Sequence, residues 1–180
     1  MKRVAIIGNL GGGKSTLSNK ISRAHGLTPH SIDKIQWGHN WAPIPTEEVL
    51  NKINKITAKE QWIIDGWGPW ESIEKRLQLA DTVVIVDHDL WIHYWWATKR
   101  QFKAMFVPSK VDSPKGCNYL SVTRLIYKMI PYIHRELRPK LLELIENLDS
   151  TTAVHHIRSP RELKQFYINH CSEQTKYQNP

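Results

Sequence analysis

The sequence predicts an α/β fold in which a five-stranded parallel sheet is covered on both faces by helices. Three observations predict it. Five short strand-like runs (residues 4–7, 30–32, 62–64, 82–86 and 153–157) show little polar alternation, as strands buried on both faces do. Segments of helical period separate them, and regular alternation of strand and helix implies parallel pairing by crossover connections. A glycine-rich turn joins the first strand directly to the first helix, at Gly8-Asn9-Leu10-Gly11-Gly12-Gly13-Lys14-Ser15.

Each element has its own local reason. Val4-Ala5-Ile6-Ile7 is apolar throughout and reads as a central strand. In 15–24, Leu17, Ile21 and Ala24 share one helical face, and Gly26 suits the C-terminal cap. His30-Ser31-Ile32 is a short second strand ending at Asp33. In 46–59, Thr46 is placed as N-cap, Glu47 and Glu48 fill the first turn, and Val49, Leu50, Ile53 and Ile56 form the apolar stripe. The third strand, Trp62-Ile63-Ile64, ends at Asp65-Gly66, and 72–80 is a short amphipathic helix. The β-branched run 82–86 is the fourth strand, followed by a long aromatic-rich helix over 90–106. There Trp91, Trp95 and Trp96 are expected mostly in the core, because one-turn spacing favours packing. Two prolines and Gly116 make 107–118 a loop, and helix resumes over 119–130 and continues to 148, with a break at Pro139. A fifth strand at 153–157 leads through Ser159-Pro160-Arg161-Glu162 into a last helix and a polar tail from Ser172.

The glycine turn carries the chemistry. It matches G-x-x-x-x-G-K-[ST] in the required strand–turn–helix setting. A triphosphate needs several converging donors, and a glycine-rich backbone can wrap closely enough to aim its N–H groups inward. The helix beginning near Lys14 adds the positive end of its dipole. Gly8, Gly11, Gly12, Gly13, Lys14, Ser15 and Thr16 are therefore the candidate ATP-binding residues. Lys14 is placed on the β- and γ-phosphates, and the Ser15 hydroxyl on Mg²⁺.

Composition narrows the setting. The 180 residues suit a single domain with its own core. No apolar run approaches the ~20 residues that span a bilayer, so no membrane partner is expected. Cys117 and Cys171 are far apart and lack metal or redox spacing, which fits a reducing, cytoplasmic location. Residues 90–140 hold ten Lys or Arg against Asp112 and Glu136, so this segment equals the chain's entire net charge of +8. Such a segment suits phosphate-rich partners: the nucleotide itself, a phosphorylated substrate or nucleic acid.

Taken together, the phosphate loop, Ile32-Asp33-Lys34-Ile35-Gln36-Trp37, Trp62-Ile63-Ile64-Asp65-Gly66, 80–87 and 157–163 resemble adenylate kinase-related P-loop proteins of the DNA topology modulation (FlaR-type) group. The resemblance covers nearly the whole chain. It implies a three-layer P-loop NTPase fold with strand order 2-3-1-4-5 and a helical lid at about 90–140. That order sets strands one and three side by side, so Asp65 would face the phosphate loop and hold Mg²⁺, with Asp87 as the competing carboxylate. Asp33 would orient or deprotonate the acceptor hydroxyl, or serve only as a turn residue. Lid arginines usually neutralise the transferred phosphoryl, which makes Arg100 the first choice, ahead of Arg135 and Arg138. Arg158 would pack the adenine. Trp37, Trp41, Trp67 and Trp70 fall in the two loops expected to frame the acceptor.

The departures matter equally. Adenylate kinases follow their aspartate-glycine with a phenylalanine-proline-arginine segment that grips AMP, whereas Asp65-Gly66-Trp67-Gly68-Pro69-Trp70 has no arginine. The threonine and arginine expected after the second strand are also missing, and so is a four-cysteine lid. The expectation is a small-molecule or nucleotide kinase whose acceptor is not AMP. A nucleic-acid-associated NTPase or regulator is the alternative, although no helix-turn-helix, RNA-binding or zinc motif is present. Neither the acceptor nor the oligomeric state is legible.

Overall fold

Five parallel strands pair in the order β2-β3-β1-β4-β5. In this computed structural model, which describes residues 1–106, 117 and 119–171, they are β1 (Arg3–Gly8), β2 (Pro29–Ser31), β3 (Trp62–Asp65), β4 (Thr82–Val86) and β5 (Ala153–Ile157). The helices are α1 (Lys14–His25), α2 (Ile32–Gln36), α3 (Thr46–Thr57), α4 (Trp70–Leu79), α5 (Leu90–Phe106), α6 (Thr123–Tyr132), α7 (Arg138–Glu146) and α8 (Pro160–His170). β1 lies in the middle, with Ile6 opposite Asp65 of β3 on one side and Val84 of β4 on the other.

In the three inner strands, β1, β3 and β4, residues alternate between two buried layers, which explains why those runs carry no polar alternation; the edge strand β5, expected to be buried on both faces, leaves Ala153 and Val154 exposed. Ala5, Ile7, Ile64 and Ile85 face α3, α4 and α7, where they meet Val49, Ile53, Leu77 and Leu141. Val4, Ile6, Ile63 and Val84 face α1 and α8, where they meet Leu17, Ile21, Leu163 and Phe166. Each such side chain contributes about 1.5–3 kcal/mol by leaving water. This is the α/β P-loop NTPase fold.

Several local expectations are corrected. Ile32 begins α2 instead of ending β2, so Asp33 lies in the first turn of a helix. Pro45, not Thr46, occupies the N-cap of α3, and no side chain caps it. The helical stretch expected from 119 opens with a 3₁₀ turn at Tyr119–Val122, runs through Pro131, and breaks in a π turn at Ile133–Leu137 just ahead of Pro139. Trp91 and Trp95 are exposed, because they project from the side of α5 opposite its packed face; of the three tryptophans, only Trp96 joins the core. The predicted loop at 107–118 lies, apart from Cys117, outside the described residues, as does the tail from Ser172.

Parallel pairing brings every strand's carboxyl end to one edge of the sheet. The segments leaving that edge hold residues 9–13, Asp33 in the first turn of α2, residues 66–69, Asp87 and Arg158. A small core of Ala97, Ile126 and Ile130, packed with Leu10 and Trp41, seats α5 and α6 over the same edge.

Candidate nucleotide and acceptor site

The phosphate loop is held by its own carbonyls. The Trp67 indole N–H donates to the Gly8 carbonyl at 2.8 Å. Lys14 Nζ donates to the Asn9 carbonyl at 2.9 Å, an internal tether that a phosphate would replace. His93 Nδ1 lies 3.0 Å from the Leu10 carbonyl. That carbonyl can only accept, so Nδ1 carries the proton. The Asn9 amide donates to the Ile130 carbonyl at 2.9 Å, tying the loop to α6. α5 presses so closely that a Cβ on Gly11, whose φ is +72°, would lie 2.6 Å from the His93 carbonyl oxygen. Only glycine fits there.

Lys14, Ser15, Asp33, Asp65 and Arg100 gather at this loop. Ser15 Oγ donates to Asp65 Oδ1 at 3.2 Å. Asp65 is 4% exposed. Burial pushes its carboxyl up to about 6, against the pull of the Lys14 ammonium, with the nearby Asp33 charge adding to the rise. Lys14 is lowered by burial; Asp33 and Asp65 oppose that shift, and the neighbouring Arg100 guanidinium deepens it. Burial first, then the Lys14 charge, lowers His93 to about 4, so its ring is neutral beside the loop. A neutral imidazole there leaves the loop's field to Lys14 and Arg100.

The remaining candidates fall outside this group. Thr16 is exposed on the first turn of α1. Arg158 is exposed beyond β5, with a nitrogen 3.4 Å from His156 Nδ1. Arg135 is exposed on the π turn. Asp87 and Arg138 are engaged with each other: Arg138 Nε donates to Asp87 Oδ1 at 2.7 Å, and His156 Nε2 sits 2.7 Å from Oδ2. Asp87 is thus committed to a bridge between α7 and the sheet. Despite the cost of its burial, these bonds hold its pKa below the usual carboxylate value.

The acceptor-side loops are built differently from each other. Trp67 bonds to the phosphate loop, whereas Trp70 Nε1 bonds to Glu74 within its own helix. Trp37 and Trp41 meet edge to face at 6.3 Å. Asn40 and Trp41 have φ of +55° and +60°, a strained pair at the tip of that loop. Cys117 accepts from the Trp41 N–H at 3.1 Å and donates to the Gly38 carbonyl at 3.2 Å, which fastens the tip. A cleft between Gly8, Trp67, His134, Arg138 and Leu141 opens beside the phosphate loop.

Sequence reasoning missed Arg76 and His93. Arg76 is 0% exposed and donates to the carbonyls of Ser72, Gly66 and Trp67. Burial lowers its pKa to about 10, against the supporting charge of Asp65. This arginine supports the β3–α4 loop from beneath, where an adenylate kinase would present one from the loop itself. Its signal was its position between Ile73 and Leu77 on the buried face of α4. That of His93 was its place among the buried residues Ile92 and Ala97 of α5.

The residues fit ATP and Mg²⁺ on two counts. The Lys14 ammonium is already aimed across the loop mouth, and Ser15 and Asp65 form a hydroxyl–carboxylate pair suited to a hard cation. No protein-family model matches the chain, and no curated protein matches it. Among solved structures it resembles "Shikimate kinase from Acinetobacter baumannii in complex with shikimate", at 13% identity over 94% of this chain and 93% of that one, with a TM-score of 0.58. It also resembles an unliganded sugar kinase from Janibacter sp., at 13% identity over 97% and 96% of the two chains, with a TM-score of 0.50. At such identities the likeness is one of fold, and it extends over nearly the whole chain.

Proposed function

We propose that the protein is an ATP-dependent kinase of a small hydroxyl-bearing molecule or nucleotide other than AMP. The observation that carries this reading is the convergence of Lys14, Arg100, Asp33 and Asp65 on one end of the phosphate loop. Phosphoryl transfer is catalysed mainly by positioning and by cations that neutralise charge on the transferred group. Lys14 and Arg100 supply those cations from two separate elements. Ser15 and Asp65 would hold Mg²⁺, which when bound neutralises charge on the β- and γ-phosphates. Asp33, at the start of α2, orients the acceptor hydroxyl or takes its proton. Arg158 would flank the adenine. The likeness to FlaR-type proteins belongs to the same proposal, with a nucleic-acid-associated NTPase as the second reading. The basic segment 90–140 favours that second reading, but its Arg100 already turns toward the phosphate loop.

The test is ATP turnover with Mg²⁺ against a panel of nucleosides, nucleotides, sugars and shikimate, with duplex and single-stranded DNA in parallel. The solved neighbours put shikimate and sugars in the panel; they do not choose among them. ADP release that rises with one compound and not with DNA supports the kinase. Turnover raised by DNA and by no small acceptor replaces it with the second reading.

A further inference from the structure

One face of α5 packs and the opposite face does not. Ile92, His93, Ala97 and Gln101 are buried toward the phosphate loop and α6. On the other side Trp91, Trp95, Phe102, Met105 and Phe106 are 67%, 61%, 62%, 61% and 71% exposed. At roughly 100° of rotation per residue all five fall in a single arc of the helix. Exposed apolar side chains are ordinary when scattered; a continuous stripe marks a surface that something covers.

The flanks choose the occupant. α5 contains no acidic residue from Leu90 to Phe106, and exposed Lys99 and Lys103 border the stripe. Thr98 lies within the same arc as a single polar position, its hydroxyl bonded to that of Tyr127 of α6, and α6 adds exposed Arg124, Leu125 and Lys128. A second copy of this chain would set these cations against their own counterparts, so charge opposes self-pairing. Nucleic acid would satisfy the charge, but Phe102 and Phe106 stand 5.2 Å apart at 60° and pack on each other instead of offering two parallel faces, and Met105 beside them offers no ring to a base. Tryptophan, phenylalanine and methionine along one helix with lysines at the margin suit the boundary layer of an anionic bilayer. There the rings reach the acyl chains and the lysine stems extend to lipid phosphates.

We propose that the outer face of α5 docks the protein on an anionic membrane surface. The binding is peripheral, since among the described residues no helix is long and apolar enough to cross a membrane. The expectation of no membrane partner rested on the absence of a spanning run, which does not bear on surface docking. Because the inner face of the same helix abuts Gly11, docking sets the phosphate loop about one helix diameter, roughly 10 Å, from the lipid.

Flotation of the full chain with phosphatidylcholine vesicles, and with vesicles of equal parts phosphatidylcholine and phosphatidylglycerol, tests this without ATP and so independently of the kinase reading. The protein should float with the anionic vesicles alone and be released as salt shortens the screening length. Trp91→Gln combined with Phe102→Gln should weaken partitioning about tenfold or more, with an unchanged circular dichroism spectrum because both side chains are exposed. Lys99→Glu combined with Lys103→Glu should also weaken it about tenfold or more. Absence of flotation, equal flotation on neutral vesicles, or flotation untouched by the Trp91/Phe102 change overturns the proposal. So does a self-association or oligonucleotide binding that depends on the stripe while vesicles are ignored.

Discussion

The Asp65 carboxyl lies 4% exposed among Ser15, Lys14 and Asp33, with a pKa near 6 instead of 3.8. In the unfolded chain it ionises freely as pH rises above 4, whereas the folded protein resists until about 6. The folded state therefore binds the extra proton over that interval, and stability falls as pH rises through it, by roughly 2–3 kcal/mol. Asp65→Asn removes this penalty together with the carboxylate that we propose holds Mg²⁺. At pH 8 the variant should melt roughly 5–10 °C above the parent, while Mg²⁺ should no longer strengthen its ATP binding. In the parent, that Mg²⁺ enhancement should fade as pH drops below about 6, because the carboxyl must lose its proton to bind the cation. Thermal melts and titration calorimetry across pH 5–8 check both outcomes. A variant that melts below the parent at pH 8 contradicts the argument.

The bridge formed by Asp87, Arg138 and His156 joins α7 to the carboxyl ends of β4 and β5. It also explains why α7 begins where it does: the π turn ends at Leu137 and places Arg138 against the sheet. Asp87→Asn retains the shape and removes the charge, so Arg138, whose side chain is 37% exposed, turns to water. The loss should be about 1–2 kcal/mol, discounted for that exposure. Hydrogen exchange should quicken in Arg138–Glu146 and stay unchanged in Trp70–Leu79; a uniform change across both would contradict a local latch. Asp87's depressed pKa makes its contribution complete above about pH 4 and lost as pH falls below, a slope that the variant should lack. This bridge was not legible beforehand, because ion pairs between α7 and two strand ends depend on tertiary placement and leave no periodic trace. The strands at 82–86 and 153–157 and the helix at 90–106 were legible to the residue, since β-branched runs and helical period are local signals. The exposed side of that helix was not: Trp91 and Trp95 have one-turn spacing, and spacing alone does not say which face meets the core. In the site, Lys14 and Ser15 were legible in the glycine-loop motif, whereas Asp33, Asp65 and Arg100 were named only through the resemblance, because their approach to the loop depends on strand order and helix placement. Arg76 and His93 act on carbonyls, which any sequence offers at every position, so nothing flagged their partners.

On the proposed function, bound ATP would tie these parts into one measurable response. Its phosphates would displace Lys14 from the Asn9 carbonyl, in a loop that Asn9 and His93 already connect to α6 and α5. A ligand that binds only the folded state stabilises it by about 2.7 kcal/mol at a hundred times its dissociation constant. For a chain of 180 residues that corresponds to a rise in melting temperature of roughly 5–10 °C. Lys14→Ala removes one charge-assisted contact, worth about 1.5–3 kcal/mol, so the same ATP concentration should give about half of that rise or less. Duplex DNA at matched phosphate concentration separates the two functional readings in the same assay. It offers charge to the basic segment but nothing shaped for the glycine loop, so any shift it causes should survive Lys14→Ala and vanish with added salt. A DNA-induced shift larger than that of ATP, and abolished by Lys14→Ala, would contradict the donor site placed at Gly8–Ser15. The ATP shift should instead persist at high salt, because the phosphates would be held by aimed backbone donors in a half-buried loop that salt screens only weakly.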